Sequence, residues 1–142
     1  MSIQSYLFFE GRADEAIAFY RQALDAELLM RLTYADAPGG TAQCPDGSTP
    51  PGDKVMHAGL RIGDSEMGLS DGMCSGKPEF KGFSMTLVCA DDAEARRRFD
   101  ALAEGGRVNM PLSESFFATA FGMLVDRFGV DWMVMVPKVP AD

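Results

Sequence analysis

The chain has 142 residues, 46% of them hydrophobic and 24% charged, the balance of one ordinary globular domain with a sizeable core. Its formal net charge of -8 and the lack of a basic stripe exclude a nucleic-acid partner, because phosphate would be repelled. Three cysteines at wide spacing, Cys44, Cys74 and Cys89, with no CxxC pair, argue against a disulfide framework and against a structural zinc site.

The opening MSIQSYLFF has no basic leader and no long apolar run, so neither a signal peptide nor a membrane span is expected, and a reducing cytoplasm is the default. Residues 4–9 read as a strand. Ala13, Ala16, Ile17, Tyr20, Ala23 and Leu24 then recur at helical spacing, with Asp14 and Glu15 in the first turn, where the helix dipole favours them. Residues 28–34 read as a second strand. Residues 35–54 are too dense in proline and glycine for a regular element and read as a loop.

Residues 55–62 and 66–70 read as two strands joined by a tight turn at Gly63-Asp64. A two-residue turn makes Arg61 face Glu66, Gly59 face Gly68 and His57 face Ser70. These six share one face, while Met56, Ala58, Leu60, Ile62, Met67 and Leu69 share the other. The apolar face is expected under the helices, and the polar, small-residue face is expected to line a cleft.

The second half repeats this order. Residues 83–89 read as a strand, and Asp91 with Glu94 resembles a capping box at the start of a helix. Ala95, Phe99 and Leu102 form that helix's apolar stripe, and Gly105-Gly106 ends it. The triple arginine at 96–98 reads as its solvated face. Residues 108–112, 121–125 and 130–136 complete three more strands. Tyr20 matches Phe99, Ala23 matches Leu102, and GLRI at 59–62 matches GMLV at 122–125.

The expectation is therefore an α+β domain over residues 1–142, made of two βαβββ modules, about 1–75 and 80–142. They would form a curved, mostly antiparallel sheet around a cleft, with helices outside.

Three stretches, EGRADEAIAFYRQAL (10–24), VMHAGLRIGDSEMGLSD (55–71) and FGMLVDRFGVDWMVMV (121–136), resemble the PhnB-like branch of the vicinal oxygen chelate superfamily. That branch is often labelled demethylubiquinone-methyltransferase-like, and the superfamily includes glyoxalase I, bleomycin-resistance proteins and extradiol dioxygenases. The methyltransferase label finds no glycine-rich strand-to-helix loop of the kind that holds a nucleotide-like cofactor. The resemblance implies a small-molecule ligand, a homodimer, and a divalent metal held by His, Gln or Glu from two strands of each module. Those positions fall at or next to Ser5, near Gly68, at Ser84 and at Met133, which cannot make a zinc or hard-cation site. A slip of one residue would offer Gln4 or Glu66, but not four ligands, so no metal and no other cofactor is expected.

The chain's only histidine, His57, then carries the site. It reads as a pocket base or hydrogen-bonding group suited to proton transfer near neutral pH, as a structural histidine held by a neighbour, or as a metal ligand whose partners would have to be carboxylates. Glu66 and Asp131 are the candidate proton-transfer partners. Arg61 reads either as an anion binder or as a cross-strand ion pair with Glu66. Gly68, Ser70, Ser84, Phe117 and Met133 are expected to line the ligand site. Trp132 has the parity of the core. Two functions follow: a glyoxalase-like lyase, isomerase or transferase working without the usual metal quartet, or a non-catalytic sequestering protein of bleomycin-resistance type.

Overall fold

The computed structural model describes residues 1–37 and 51–139. The chain divides into two compact units, Met1–Pro78 and Glu79–Asp142, each with one α-helix and four strands among the described residues.

In the first unit the order is β1 (Ser5–Phe8), α1 (Ala13–Leu24), β2 (Glu27–Thr33), a short 3-10 turn (Tyr34–Asp36), β3 (Val55–Ile62) and β4 (Ser65–Ser70). The sheet order is β1-β4-β3-β2, with β1 parallel to β4 and the other pairs antiparallel. The expected register of the β3–β4 hairpin is present from Ile62↔Ser65 to Ala58↔Leu69, so Arg61 faces Glu66 and Gly59 faces Gly68. The anticipated His57–Ser70 pair is outside this ladder. There Asp71 N donates to Val55 O at 2.9 Å, one residue out of step, while on the other side of β3 His57 pairs with Leu32 of β2.

Strand alternation explains the core. Leu7, Ala58, Leu60, Met67 and Leu69 are buried on one face, together with Ala16, Ile17, Tyr20 and Leu24 of α1. The start of α1 has no capping side chain of its own, because Arg12 stands at the cap. Asp71 replaces it from a distance. Its buried carboxylate accepts from Ala13 N (2.8 Å), Gly11 N (3.0 Å) and Val55 N (2.6 Å), tying the helix start to β3.

The second unit runs β5 (Met85–Val88), α2 (Asp92–Ala103), β6 (Arg107–Ser113), β7 (Ala118–Val125) and β8 (Asp131–Pro137), with sheet order β5-β8-β7-β6. The α+β class and the doubled βαβββ order are thus present, with the eight strands divided into two mixed four-stranded sheets. Asp91 caps α2 by accepting from Glu94 N at 2.8 Å, while the Glu94 carboxylate reaches Ala90 N at 3.1 Å, one residue before the cap. Ala95, Phe99 and Leu102 are buried, as are Leu124, Trp132 and Val134. Gly122 makes room for α2: a Cβ there would stand 2.7 Å from Phe99 Cε2.

Candidate functional site

The sheet face of the first unit opposite α1 carries the candidate site. On β1, Leu7 points into the core, so Tyr6 and Phe8 lie on the other face, 41% and 51% exposed. Tyr6 pairs with Gly68 on β4, and Gly68 pairs with Gly59 on β3. Two glycines in one cross-strand row leave a trough in the sheet surface, and the Tyr6 ring lies in it. A Cβ on Gly68 would collide with Tyr6 Cδ2 and stand 2.7 Å from Cε2. The ring spans β4 to reach β3, where Tyr6 Oη is 2.8 Å from His57 Nδ1. The two rings are nearly parallel, 11° between planes with centroids 5.6 Å apart, and Phe8 borders Tyr6 at 5.3 Å.

A phenol is a far stronger acid than the N–H of a neutral imidazole, which favours Tyr6 as donor and His57 Nδ1 as acceptor. In that arrangement the neutral ring carries its proton on Nε2. The pair therefore presents an N–H donor on one ring and oxygen lone pairs on the other, on an exposed surface.

This geometry answers whether the residues fit a divalent metal, and they do not. The position expected for a ligand on β4 is Gly68, and an aromatic ring fills the space a side chain would need. Ser5 pairs with buried Met67, on the helix side of the sheet. Among the described residues no group of three or more His, Cys, Asp or Glu side chains is placed to hold a metal ion.

The other expected residues of this unit separate from His57. Arg61 is bracketed by Glu27 of β2 at 3.2 Å and Glu66 of β4 at 3.5 Å, both across exposed strand pairs. Its charge is thereby offset, and Glu66 is engaged with Arg61. Ser70 is buried and its Oγ accepts from Gly72 N at 3.1 Å.

In the second unit, Met133 sits beside Thr86 on β5 and Met123 on β7, on the face opposite α2. Asp131 shares that face at the start of β8, paired with Val125 and half-buried. Ser84 precedes β5 by one residue and is half-buried. Phe117 is bracketed by Phe116 and Phe121, with ring centroids 5.1 Å away in both cases. Trp132 is a core residue, 3% exposed, and its Nε1 donates to Asp126 at 2.9 Å. Cys89 is buried, and desolvation pushes its thiol up to about 11, with Glu94 adding to the shift. A thiol held neutral in this way is a poor nucleophile.

Tyr6 is the member of this candidate site that sequence reasoning overlooked. The signal was present, since the first expected metal-ligand position fell at or next to Ser5. The parity of β1 decides between the neighbours: Ser5 lies on the helix side, and Tyr6 lies opposite.

The family model described as 3-demethylubiquinone-9 3-methyltransferase matches residues 1–135. Protein YjdN of Escherichia coli is 38% identical over 97% of both chains. Among solved structures, protein PA1353 of Pseudomonas aeruginosa is also 38% identical, covering 98% of this chain and 99% of its own, with a TM-score of 0.81. A PhnB protein of Bacillus cereus is 27% identical, covering 96% and 99%, with a TM-score of 0.77. A glyoxylase/bleomycin resistance protein/dioxygenase domain from Frankia shares the fold at 16% identity over 88% of each chain, with a TM-score of 0.59.

Proposed function

The chain belongs to the 3-demethylubiquinone-9 3-methyltransferase family, the PhnB-like branch of the vicinal oxygen chelate superfamily, and from that premise we propose a metal-independent small-molecule site built on Tyr6 and His57. The single observation that carries this reading is the 2.8 Å Tyr6 Oη–His57 Nδ1 contact over Gly68. No step runs through a divalent metal, because the donor set does not fit one.

A planar organic molecule rests against Tyr6 and Phe8 and accepts from His57 Nε2. If it carries an acidic C–H or O–H, Tyr6 Oη takes that proton while the phenol's own proton passes to Nδ1. The phenol ends neutral, the ring becomes imidazolium, and the ligand leaves as its conjugate base or is reprotonated at another atom. The reading is thus a glyoxalase-like isomerase or lyase in which Tyr6 is the group meeting substrate and His57 stores the proton. Methyl transfer is not part of it. Neither are Glu66 and Asp131, because Arg61 engages the first and the 2.8 Å contact supplies the proton acceptor.

The sequestering reading has support of its own. Leu29, Met30 and Leu32 of β2 are each 37–43% exposed, with Met30 and Leu32 paired to Gly59 and His57, so an apolar ligand can be held without chemistry. The proposal includes a homodimer, to be checked by sedimentation. A cytoplasmic location is part of the same proposal. No helix among the described residues is long and apolar enough to cross a membrane.

The test screens small carbonyl and aromatic compounds by ligand-detected NMR, with protein washed in chelator, then follows solvent deuterium into whatever binds. Deuterium incorporation lost in His57→Gln supports the proton-transfer site, and binding without incorporation supports sequestration. Binding indifferent to both Tyr6→Phe and His57→Gln overturns the site. One divalent ion per chain in protein purified without added metal overturns its metal independence.

A further inference from the structure

Ten methionines occur in 142 residues, and four of them fall on one face of one sheet. Met110 of β6 pairs with Met123 of β7, and Met123 pairs with Met133 of β8. Three methionines therefore stand side by side in one row across three strands, and Thr86 of β5 continues it beyond Met133. Met135 lies two residues along β8 on the same face, opposite Phe121. This row is not core. The helix α2 packs against the other face, where Leu124, Trp132 and Val134 are buried, while Met110 is 44% exposed and Met123, Met133 and Met135 are half-buried.

We infer that Met110, Met123 and Met133 form a thioether site for a soft monovalent cation of the copper(I) type. Thioether sulfur is a soft, neutral donor that selects such ions over zinc, magnesium or calcium. Three sulfurs placed trigonally around an ion, at bond lengths near the usual metal–sulfur value of about 2.3 Å, stand about 4 Å apart. Neighbouring strands are about 4.8 Å apart, so Met123 starts near that separation from each neighbour, while Met110 and Met133 start about 9.6 Å apart. Unbranched side chains with three rotatable bonds let those outer two lean over Met123 and close the gap. The chemistry that made Met133 useless for a hard divalent ion suits a soft one. This site lies in the second unit and does not depend on Tyr6 or His57.

The experiment titrates protein labelled with 13C at the methionine methyls with copper(I) under anaerobic, ascorbate-reduced conditions. Cys44 and Cys74 are replaced by serine so that their thiols do not compete. The methyls of Met110, Met123 and Met133 should shift together and saturate at one ion per chain, while Met30 and Met67 stay in place. Met123→Leu, which conserves volume, should weaken binding at least about tenfold, because it removes the central donor. Met110→Leu, on a more exposed strand, gives the same reading if the first variant folds poorly. Shifts spread over the exposed Met1 and Met73, or affinity unchanged in both leucine variants, would overturn the site.

Discussion

Gly68 pairs with Tyr6 across β4 and β1, and the Tyr6 ring occupies the space that a Gly68 side chain would need. A residue at Gly68 and the contact between Tyr6 and His57 are therefore mutually exclusive. Gly68→Ala should displace the ring, cost about 1–3 kcal/mol of stability and free the imidazole. Urea unfolding measures the first effect. The His57 ring signals, alone in the spectrum because the chain has one histidine, measure the second.

Tyr6 and His57 act as a unit in the proposed proton transfer. Tyr6→Phe keeps the ring but loses the donor, and should lower turnover of an identified substrate by about 10²–10⁴ while weakening binding only about tenfold. His57→Gln should cost a similar factor in turnover. The double variant should be little worse than either single one, since each alone disables the relay. Multiplicative losses would show that the two residues work separately.

Asp71 is the buried carboxylate on which the first unit's architecture depends. Asp71→Ala strands the N–H groups of Gly11, Ala13 and Val55, and should cost at least about 3 kcal/mol. A loss below about 1 kcal/mol in chemical unfolding would show that the helix start finds other partners.

Cys89 gives a pH dependence with a definite sign. Its folded thiol titrates at about 11 against an unfolded value of 9.0. Below about pH 9 both states are protonated and its contribution is fully present. Between about 9 and 11 the unfolded thiol ionises while the folded one does not, so stability falls. The loss approaches about 3 kcal/mol beyond pH 11. Unfolding free energies of wild type and Cys89→Ala, compared from pH 8 to 11, should diverge by that trend. A constant difference would contradict it.

The hairpin Val55–Ser70 was legible in the sequence because a two-residue turn sets every pair from Ile62↔Ser65 to Ala58↔Leu69, and alternation then sorts core from surface. The α2 cap was legible because Asp91 and Glu94 are local to the element they cap. The site was less so. The Tyr6–His57 contact joins residues 51 apart through a parallel β1–β4 pairing that no local period encodes. The misstep beyond Ala58, where Asp71 N bonds Val55 O, is a tertiary irregularity that the turn does not encode. Arg61 met the expected Glu66, but its second carboxylate, Glu27, depends on a β2 register shifted between Leu28 and Met30.

The most direct test is a long-range 1H–15N spectrum of His57 in wild type and Tyr6→Phe, before and after one equivalent of zinc. The wild-type neutral ring should be held as the Nε2–H tautomer, released to a mixture in Tyr6→Phe, and unmoved by zinc. An Nδ1–H ring in the wild type, or ring nitrogens that shift to a metal-bound state on adding zinc, would contradict a metal-independent Tyr6–His57 site.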